Sequence, residues 1–251
     1  MTLEAFFHTL PRAAVAFSGG TDSALLLWAA KRYGCPVRAY YGKTAFQPRF
    51  EYEDALRLTR ELGVPMTVVE LDVLSLPQAA ANGPERCYFC KQALFTRLWE
   101  AARRDGYSVL LDGTNASDDA GDRPGMRALE DLEVRSPLRE CGLTKAQVRR
   151  LSREAGLFTW DKPAYACLAT RVPTGTPITR EDLERVERGE DALRAPGLRD
   201  FRLRLFHGAA RIQVTREQLP LVLERREPLL AALRPDFSDI LLDLSPRIGS
   251  A

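Results

Sequence analysis

Ala14-Val15-Ala16-Phe17-Ser18-Gly19-Gly20-Thr21-Asp22-Ser23 is the stretch on which the fold turns. An apolar run that follows Pro11 stops at a polar, glycine-paired turn, and the helix-forming residues 24–30 come directly after. Small, β-tolerant residues bounded in this way predict a buried parallel strand. Ser18-Gly19-Gly20 permits a tight turn without Cβ clashes and leaves backbone N–H groups free to point at an anion. Asp22 and Ser23 stand where the helix begins, and a helix N-terminus carries a positive potential suited to phosphate. The commoner Gly-x-x-x-x-Gly-Lys-Ser/Thr loop is absent; Gly42-Lys43-Thr44 comes nearest and has Val37 where the first glycine is required.

Outward from this loop the chain alternates. Residues 2–10 read as a short amphipathic helix with His8 on its surface, residues 24–33 as a helix ended by Gly34, and residues 37–41 as a strand. A helix over 48–62 closed by Gly63 and a strand over 66–71 follow. Such alternation predicts an α/β fold with a parallel sheet and helices on both faces, its ligands bound at the carboxyl ends of the strands. A further strand over 108–112 runs into a long polar loop, residues 113–125, where Asp112, Thr114, Asn115 and Asp118 offer hydrogen-bonding groups to a nucleotide or metal. Residues 126–132 read as helix, 134–138 as an exposed edge or connector, and 144–155 as a capped helix ended by Gly156.

Beyond it, residues 160–179 carry three prolines and no clear period, and residues 178–251 read as a smaller α+β unit for substrate binding or oligomerisation. In that unit Thr179 caps an acidic helix reaching about residue 193, and strands 201–206 and 210–214 meet at His207-Gly208. A helix over 218–233 and a strand over 240–244 complete it. The expected division is therefore 1–160, a connecting segment 161–177, and 178–251. Arg202 and Arg204 project from one face of their strand, either as a solvated face or as a clamp for phosphate or carboxylate.

Composition narrows the class. A formal net charge of +2 is too small to argue for nucleic acid, and no apolar stretch is long enough to span a bilayer. The N-terminus lacks the basic start and apolar core of a signal peptide, so the expected compartment is the cytoplasm. Five cysteines without framework spacing agree with a reducing environment. Cys35 and Cys141 read as structural. Cys87 and Cys90 form a Cys-x-x-Cys at the head of a helix running to about 103, with zinc, redox and structural readings open and the structural one preferred. Arg86 and Lys91 beside them are expected to face the nucleotide. Cys167 differs, because Ala166-Cys167-Leu168-Ala169 precedes Arg171, and a thiol near a guanidinium ionises more easily and is more nucleophilic.

The Ser-Gly-Gly-x-Asp-Ser loop resembles that of the PP-loop ATP pyrophosphatases, which split ATP between the α- and β-phosphates. Further motifs narrow the resemblance: Arg-Cys-Tyr-Phe-Cys-Lys at 86–91, Asp-Gly-Thr-Asn-Ala at 112–116, Gly-Asp-Arg-Pro-Gly at 121–125, Arg-Ser-Pro-Leu at 135–138 and Trp-Asp-Lys-Pro-Ala-Tyr-Ala-Cys-Leu-Ala-Thr-Arg at 160–171. With them nearly the whole chain is similar to the LarE family, the ATP-dependent sacrificial sulfur insertases of nickel-pincer nucleotide cofactor synthesis. The resemblance implies an adenine nucleotide alpha hydrolase-like domain and a small-molecule substrate, pyridinium-3,5-biscarboxylic acid mononucleotide. It implies ATP with Mg²⁺ as cofactors, and Cys167 as sulfur donor left as dehydroalanine. Some members of the family instead hold an iron–sulfur cluster on three cysteines; here only Cys167 lies near the site in sequence, which favours sacrifice, with Cys87 and Cys90 able to approach it in three dimensions. Nucleotide binding falls to Ser18, Gly19, Gly20, Thr21, Asp22, Ser23, Lys91, Gly113, Thr114, Asn115 and Arg123, and substrate binding to Arg171, Arg202 and Arg204. Asp22 and Glu190 are the implied metal ligands, surface solvation being the plainer reading of Glu190. The resemblance also implies a homo-oligomer, and neither nucleic acid nor membrane as partner. The C-terminus departs from it: the chain ends Ser245-Pro-Arg-Ile-Gly-Ser-Ala where relatives carry Gly-Tyr-Arg and a longer tail. Two alternatives stay open. An RNA-thiolating pyrophosphatase would favour a more basic chain, and a non-catalytic nucleotide-binding regulator would have no need of the Cys167 segment.

Overall fold

The computed structural model describes residues 1–118 and 124–247. The chain divides into two compact units, Met1–Val73 with Glu85–Lys162, and Leu74–Pro84 with Pro163–Ala251.

The first unit contains α1 (Leu3–His8), β1 (Ala13–Ala16), α2 (Thr21–Arg32), β2 (Val37–Lys43), α3 (Arg49–Leu62) and β3 (Met66–Glu70). After the excursion through α4 (Pro77–Ala80), which belongs to the second unit, it continues with α5 (Arg86–Arg104), β4 (Leu110–Leu111), α6 (Pro124–Asp131), α7 (Pro137–Glu140) and α8 (Lys145–Glu154). Its four strands are parallel in the order β3-β2-β1-β4. β1 is buried along its whole length, and strand alternation divides its side chains between two cores. Ala13, Val15 and Phe17 pack with α1, α2 and α8, whereas Ala14 and Ala16 pack with α5 and α6. The parallel sheet with two covered faces expected from the sequence is thus present. So is the helix closed by Gly63, whose φ of 59° is left-handed.

The order of the strands fixes where a ligand can sit. The chain winds outward from β1 through β2 to β3 and then returns to the other side of β1 to form β4. The crevice beyond the carboxyl ends of β1 and β4 is the switch point at which open α/β sheets bind ligands. Two sequence expectations change nearby. The strand expected over 108–112 contracts to Leu110–Leu111. The edge over 134–138 does bridge to the sheet, Arg135 against Leu111, but it is not exposed: Val134 and Leu138 are buried, and α7 begins at Pro137. A residue run too short to show a period hides both features.

The second unit adds α9 (Arg180–Arg194), β5 (Phe201–Phe206), β6 (Ala209–Val214), α10 (Leu219–Glu224), α11 (Arg226–Leu233) and β7 (Ile240–Leu242). Thr179 caps α9 by accepting from Asp182 N, as expected. β5 and β6 form an antiparallel hairpin turned at His207 and Gly208, both at positive φ, and β7 joins β6 in parallel. The single helix expected over 218–233 is interrupted at Arg225. Asn82, fully buried at a φ of 56°, ties the 74–84 segment into this unit. Its side-chain amide donates to the carbonyls of Pro173 at 2.9 Å and Thr176 at 3.0 Å, and its own carbonyl accepts from Gly175 N. Asn82→Ala strands those acceptors and puts a residue without asparagine's tolerance of the left-handed region at positive φ, so it is expected to destabilise the second unit by about 2 kcal/mol. A lowered urea midpoint at unchanged slope measures it.

Candidate functional site

In the first unit the 18–23 loop leaves β1 and closes on itself. Ser18 N and Oγ lie 3.3 and 3.2 Å from Ser23 Oγ, which in turn lies 3.3 Å from Gly20 O. Gly19 stands at φ 74°, and a Cβ there would meet Glu51 O at 2.8 Å, so no side chain fits. The N–H groups of Thr21, Asp22 and Ser23 belong to the first turn of α2, where the helix supplies no acceptor. These residues, Ser18, Gly19, Gly20, Thr21, Asp22 and Ser23, are the ones the sequence reading expects to bind phosphate, and a turn with such N–H groups is suited to an anion.

The loop after β4 lies directly against it. A Cβ on Gly113 would come within 2.9 Å of Ser23 N and 3.1 Å of Asp22 Cβ, so the two backbones can approach only because residue 113 has no side chain. Asn115 Nδ2 donates to Asp22 Oδ1 at 3.2 Å. Asp112 is buried and accepts from Thr114 Oγ1 and from Ser136 Oγ, the latter at 2.6 Å. Burial pushes its carboxyl pKa upward, opposed by those two hydroxyls and by the charge of Lys91. Lys91 itself, on α5, lies along Gly125, where a Cβ would touch its aliphatic stem. The structure therefore brings Lys91, Gly113, Thr114 and Asn115 to the first loop's side of the sheet. Arg123 lies outside the described residues.

Two lysines that sequence reasoning did not single out complete this region. Lys145 Nζ pairs with Asp22 Oδ2. Lys162 Nζ donates to Asp54 Oδ2 at 2.7 Å and to Gly19 O at 3.3 Å, holding the glycine turn from behind. A signal for Lys145 was present: a lysine at the first position of a helix opposes the helix dipole, and α8 has no acidic residue in its first turn.

The second unit holds Cys167. The apolar neighbours Leu168 and Ala169 are buried and anchor a 3₁₀ turn, Leu168–Arg171, for which half-buried Cys167 is the cap residue. Arg171 is 1% exposed and makes this turn what it is. Its Nη1 donates to Ala166 O at 2.7 Å and Cys167 O at 3.3 Å, while its Nε donates to Glu190 Oε1 at 2.7 Å and Nη2 to Oε2 at 3.3 Å. Burial works against the Arg171 charge, but the charge and hydrogen bond of Glu190 outweigh it, with Tyr165 and Cys167 adding to the effect, and the guanidinium pKa is raised.

Glu190 is not solvated at the surface, contrary to the plainer reading of its sequence position, but 1% exposed. Besides Arg171 it accepts from Tyr165 Oη and from Leu203 N, the latter at 3.1 Å. An acidic residue among several on one helix gives no sign in the sequence that it is the buried one. Arg202 and Arg204 also grip the Cys167 segment: Arg202 Nη2 donates to Ala164 O at 2.6 Å, and Arg204 Nη1 to Thr170 O. Burial, with Arg171 and Arg247 close by, pushes the Arg202 pKa down to about 10, and burial together with neighbouring arginines lowers that of Arg204. The solvated-face alternative thus fails for Arg202, which is 6% exposed. The charge of Arg171 acts on Cys167 as well as on Glu190.

Among the described residues no three His, Cys, Asp or Glu side chains are grouped to hold a metal ion, and no helix is long and apolar enough to cross a membrane.

No family model matches the chain. An uncharacterized protein of Synechocystis sp. is 39% identical over 220 residues, spanning 86% of this chain and 81% of that protein. A pyridinium-3,5-bisthiocarboxylic acid mononucleotide synthase of Lactiplantibacillus plantarum is 34% identical over 215 residues, 85% of this chain and 78% of that enzyme. A tRNA-specific 2-thiouridylase of Beijerinckia indica is 28% identical over 61% of this chain and 44% of its own length.

Removing the Glu190 carboxylate leaves a buried guanidinium without a counter-ion. Glu190→Ala is expected to cost the second unit about 3–5 kcal/mol, read from denaturant unfolding, and Glu190→Gln less, because the amide oxygen still accepts.

Proposed function

The chain belongs to the pyridinium-3,5-bisthiocarboxylic acid mononucleotide synthase family, the LarE family of ATP-using sulfur transferases, and from that premise we propose that it inserts sulfur into a pyridinium-3,5-biscarboxylic acid mononucleotide at the expense of its own Cys167. The observation that carries the reading is the half-buried Cys167 thiol, capping a turn whose carbonyl oxygens are held by buried Arg171. A structural cysteine would need no such mount.

The reaction begins with attack of a substrate carboxylate oxygen on the α-phosphorus of ATP, giving an acyl adenylate and releasing pyrophosphate. Backbone N–H groups of the 18–23 loop and the α2 N-terminus bind the charge that accumulates on the departing pyrophosphate. Gly113, Thr114 and Asn115, braced by Asp112, position the nucleotide, and Lys91 and Arg123 contribute positive charge. Mg²⁺ is typically held by one or two carboxylates together with substrate phosphates. The single carboxylate of Asp22 fits that pattern and Glu190, engaged by Arg171 and Tyr165, does not. Bound there, the ion would neutralise phosphate charge. Lys145, paired with Asp22, would offer its charge to the phosphates were the metal bound at Asp22.

The Cys167 thiolate, favoured by the charge of Arg171, then attacks the acyl carbon. The C–O bond to AMP breaks, AMP leaves, and a thioester joins substrate to protein. Loss of the Cys167 Cα proton to a base sends its electron pair into a Cα=Cβ bond, and the Cβ–S bond breaks with sulfur leaving as the thiocarboxylate. Cys167 becomes dehydroalanine, and each chain reacts once. Arg171, Arg202 and Arg204 hold the segment in place and offer remaining donors to the substrate phosphate or second carboxylate. The cytoplasm, where thiols stay reduced, suits this chemistry, and a homo-oligomer is the expected assembly.

Incubation with ATP, Mg²⁺ and the substrate, followed by intact-protein mass, tests the proposal. Loss of the elements of H₂S, mapped to Cys167 and absent in Cys167→Ala, is expected; product formed with the protein mass unchanged overturns the sacrificial route. For the nucleotide site, Lys145→Ala removes a charge-assisted contact worth about 1.5–3 kcal/mol. Pyrophosphate release in a single-turnover assay should slow by at least about tenfold, with the thermal midpoint little altered.

A further inference from the structure

The turn of the 18–23 loop contains a peptide unit, between Gly19 and Gly20, with glycine on both sides. A plane so flanked turns over readily, since doing so changes only ψ of the first residue and φ of the second. It would carry Gly20 from its φ of −86° into the positive range, which glycine enters freely and other residues do not. The two orientations are not equivalent for an anion. The peptide is trans, so its C=O and N–H point in opposite directions, and only the N–H attracts phosphate.

The surroundings select one orientation. Gly19 is buried against α3, and on that side its carbonyl accepts from Lys162 Nζ at 3.3 Å. Gly20 N–H points the other way, toward exposed Ser18, whose Oγ lies 3.4 Å from Gly20 N and 3.2 Å from Ser23 Oγ. Lys162 is itself fixed from two directions. Asp54 Oδ2 accepts from its Nζ at 2.7 Å, and the ring of Phe50, one turn earlier on α3, has its centroid 5.1 Å from that ammonium. From α8, Arg149 Nη2 donates to Lys162 O at 3.1 Å and Nη1 to Trp160 O at 2.9 Å, while Thr21 Oγ1 donates to Thr159 O at 2.7 Å. Residues 159–162 are thereby tied to the loop and to α8, all within the first unit. An ammonium already matched by Asp54 is poorly placed to be a free counter-charge for phosphate; its geometry suits it to holding a carbonyl.

We propose that Lys162 is a positioning residue of the phosphate loop: by holding Gly19 O it keeps the Gly19–Gly20 peptide turned so that the Gly20 N–H, and not a carbonyl oxygen, faces the departing pyrophosphate. This role rests on the nucleotide reading above and names, within it, the group that sets the polarity of the loop. Without Lys162 the peptide divides between two orientations, and the apparent affinity for a polyphosphate falls in proportion to the competent fraction.

Calorimetric titration of the full-length chain with ATP and Mg²⁺, and separately with inorganic pyrophosphate, tests the role. Lys162→Met keeps the aliphatic stem and loses the ammonium; it is expected to weaken binding of both by about tenfold, as when about a tenth of the loops stay competent. A Gly20→Ala background isolates the cause. Alanine accepts the present φ and disfavours the overturned peptide, and its Cβ would lie 3.3 Å from the rotatable Ser18 hydroxyl. In that background the Lys162→Met penalty is expected to shrink to about threefold or less, whatever Gly20→Ala costs alone. Equal penalties in the two backgrounds overturn the proposal, as does unchanged binding in Lys162→Met. Asp54→Asn, which releases the ammonium from its partner charge, is expected to weaken ATP binding; tighter binding would show Lys162 acting as a counter-charge for phosphate and overturns the proposal as well. A wild-type chain that binds neither ATP nor pyrophosphate removes the nucleotide reading together with it, an outcome distinct from failure of the lysine's role alone.

Discussion

The buried ion pair between Arg171 and Glu190 is the contact on which the second unit's chemistry depends. A guanidinium with 1% exposure is tolerable only where its charge and its donors are matched. Glu190 supplies the charge, and the carbonyls of Ala166 and Cys167 take donors that Glu190 leaves. One side chain thus fastens a proline-rich segment with no regular hydrogen-bond ladder to the helix α9. Arg202 and Arg204 extend the same device from β5, each taking a carbonyl of the segment. Cys167 is thus placed by side chains gripping its backbone.

The first unit places its site by a different means. There the sheet order brings two loops to one crevice, and the absence of side chains at Gly19 and Gly113 lets backbone meet backbone. The polar groups that remain are paired with one another: Asp22 with Lys145 and Asn115, Asp112 with Ser136 and Thr114. Such pairing keeps carboxylates stable near a buried loop while leaving cations that can turn toward an arriving polyphosphate. Lys162 braces the glycine turn through Gly19 O, so the loop is stiffened before it binds. Preorganised donors of this kind stabilise developing charge without reorganising when it appears.

The covalent sulfur donation proposed above would also account for the economy of the arrangement around Cys167. A thiol that reacts once needs a nucleophilic state and a fixed position, not a relay that restores it. The charge of Arg171 bears on the first need, and its grip on the turn's carbonyls on the second.

Local pattern was sufficient for many of the elements that depend on neighbours in the chain, though not for the short strand at Leu110–Leu111 or the break at Arg225. The parallel sheet, the loop over 18–23, the capped α9 and the hairpin at His207-Gly208 follow from hydrophobic period, turn residues and caps, which act over a few residues. Cys167 stood out for the same reason, its arginine lying four positions away. What the sequence could not show were partners brought together from a distance. Lys145 meets Asp22 across 123 residues and Asn82 meets Pro173 across 91. Glu190 differs from the exposed acids around it only by the face it occupies once α9 packs on β5. Burial, and the charge pairing that burial enforces, are properties of the assembled chain, because desolvation depends on all the atoms that surround a group and not on those next to it in sequence.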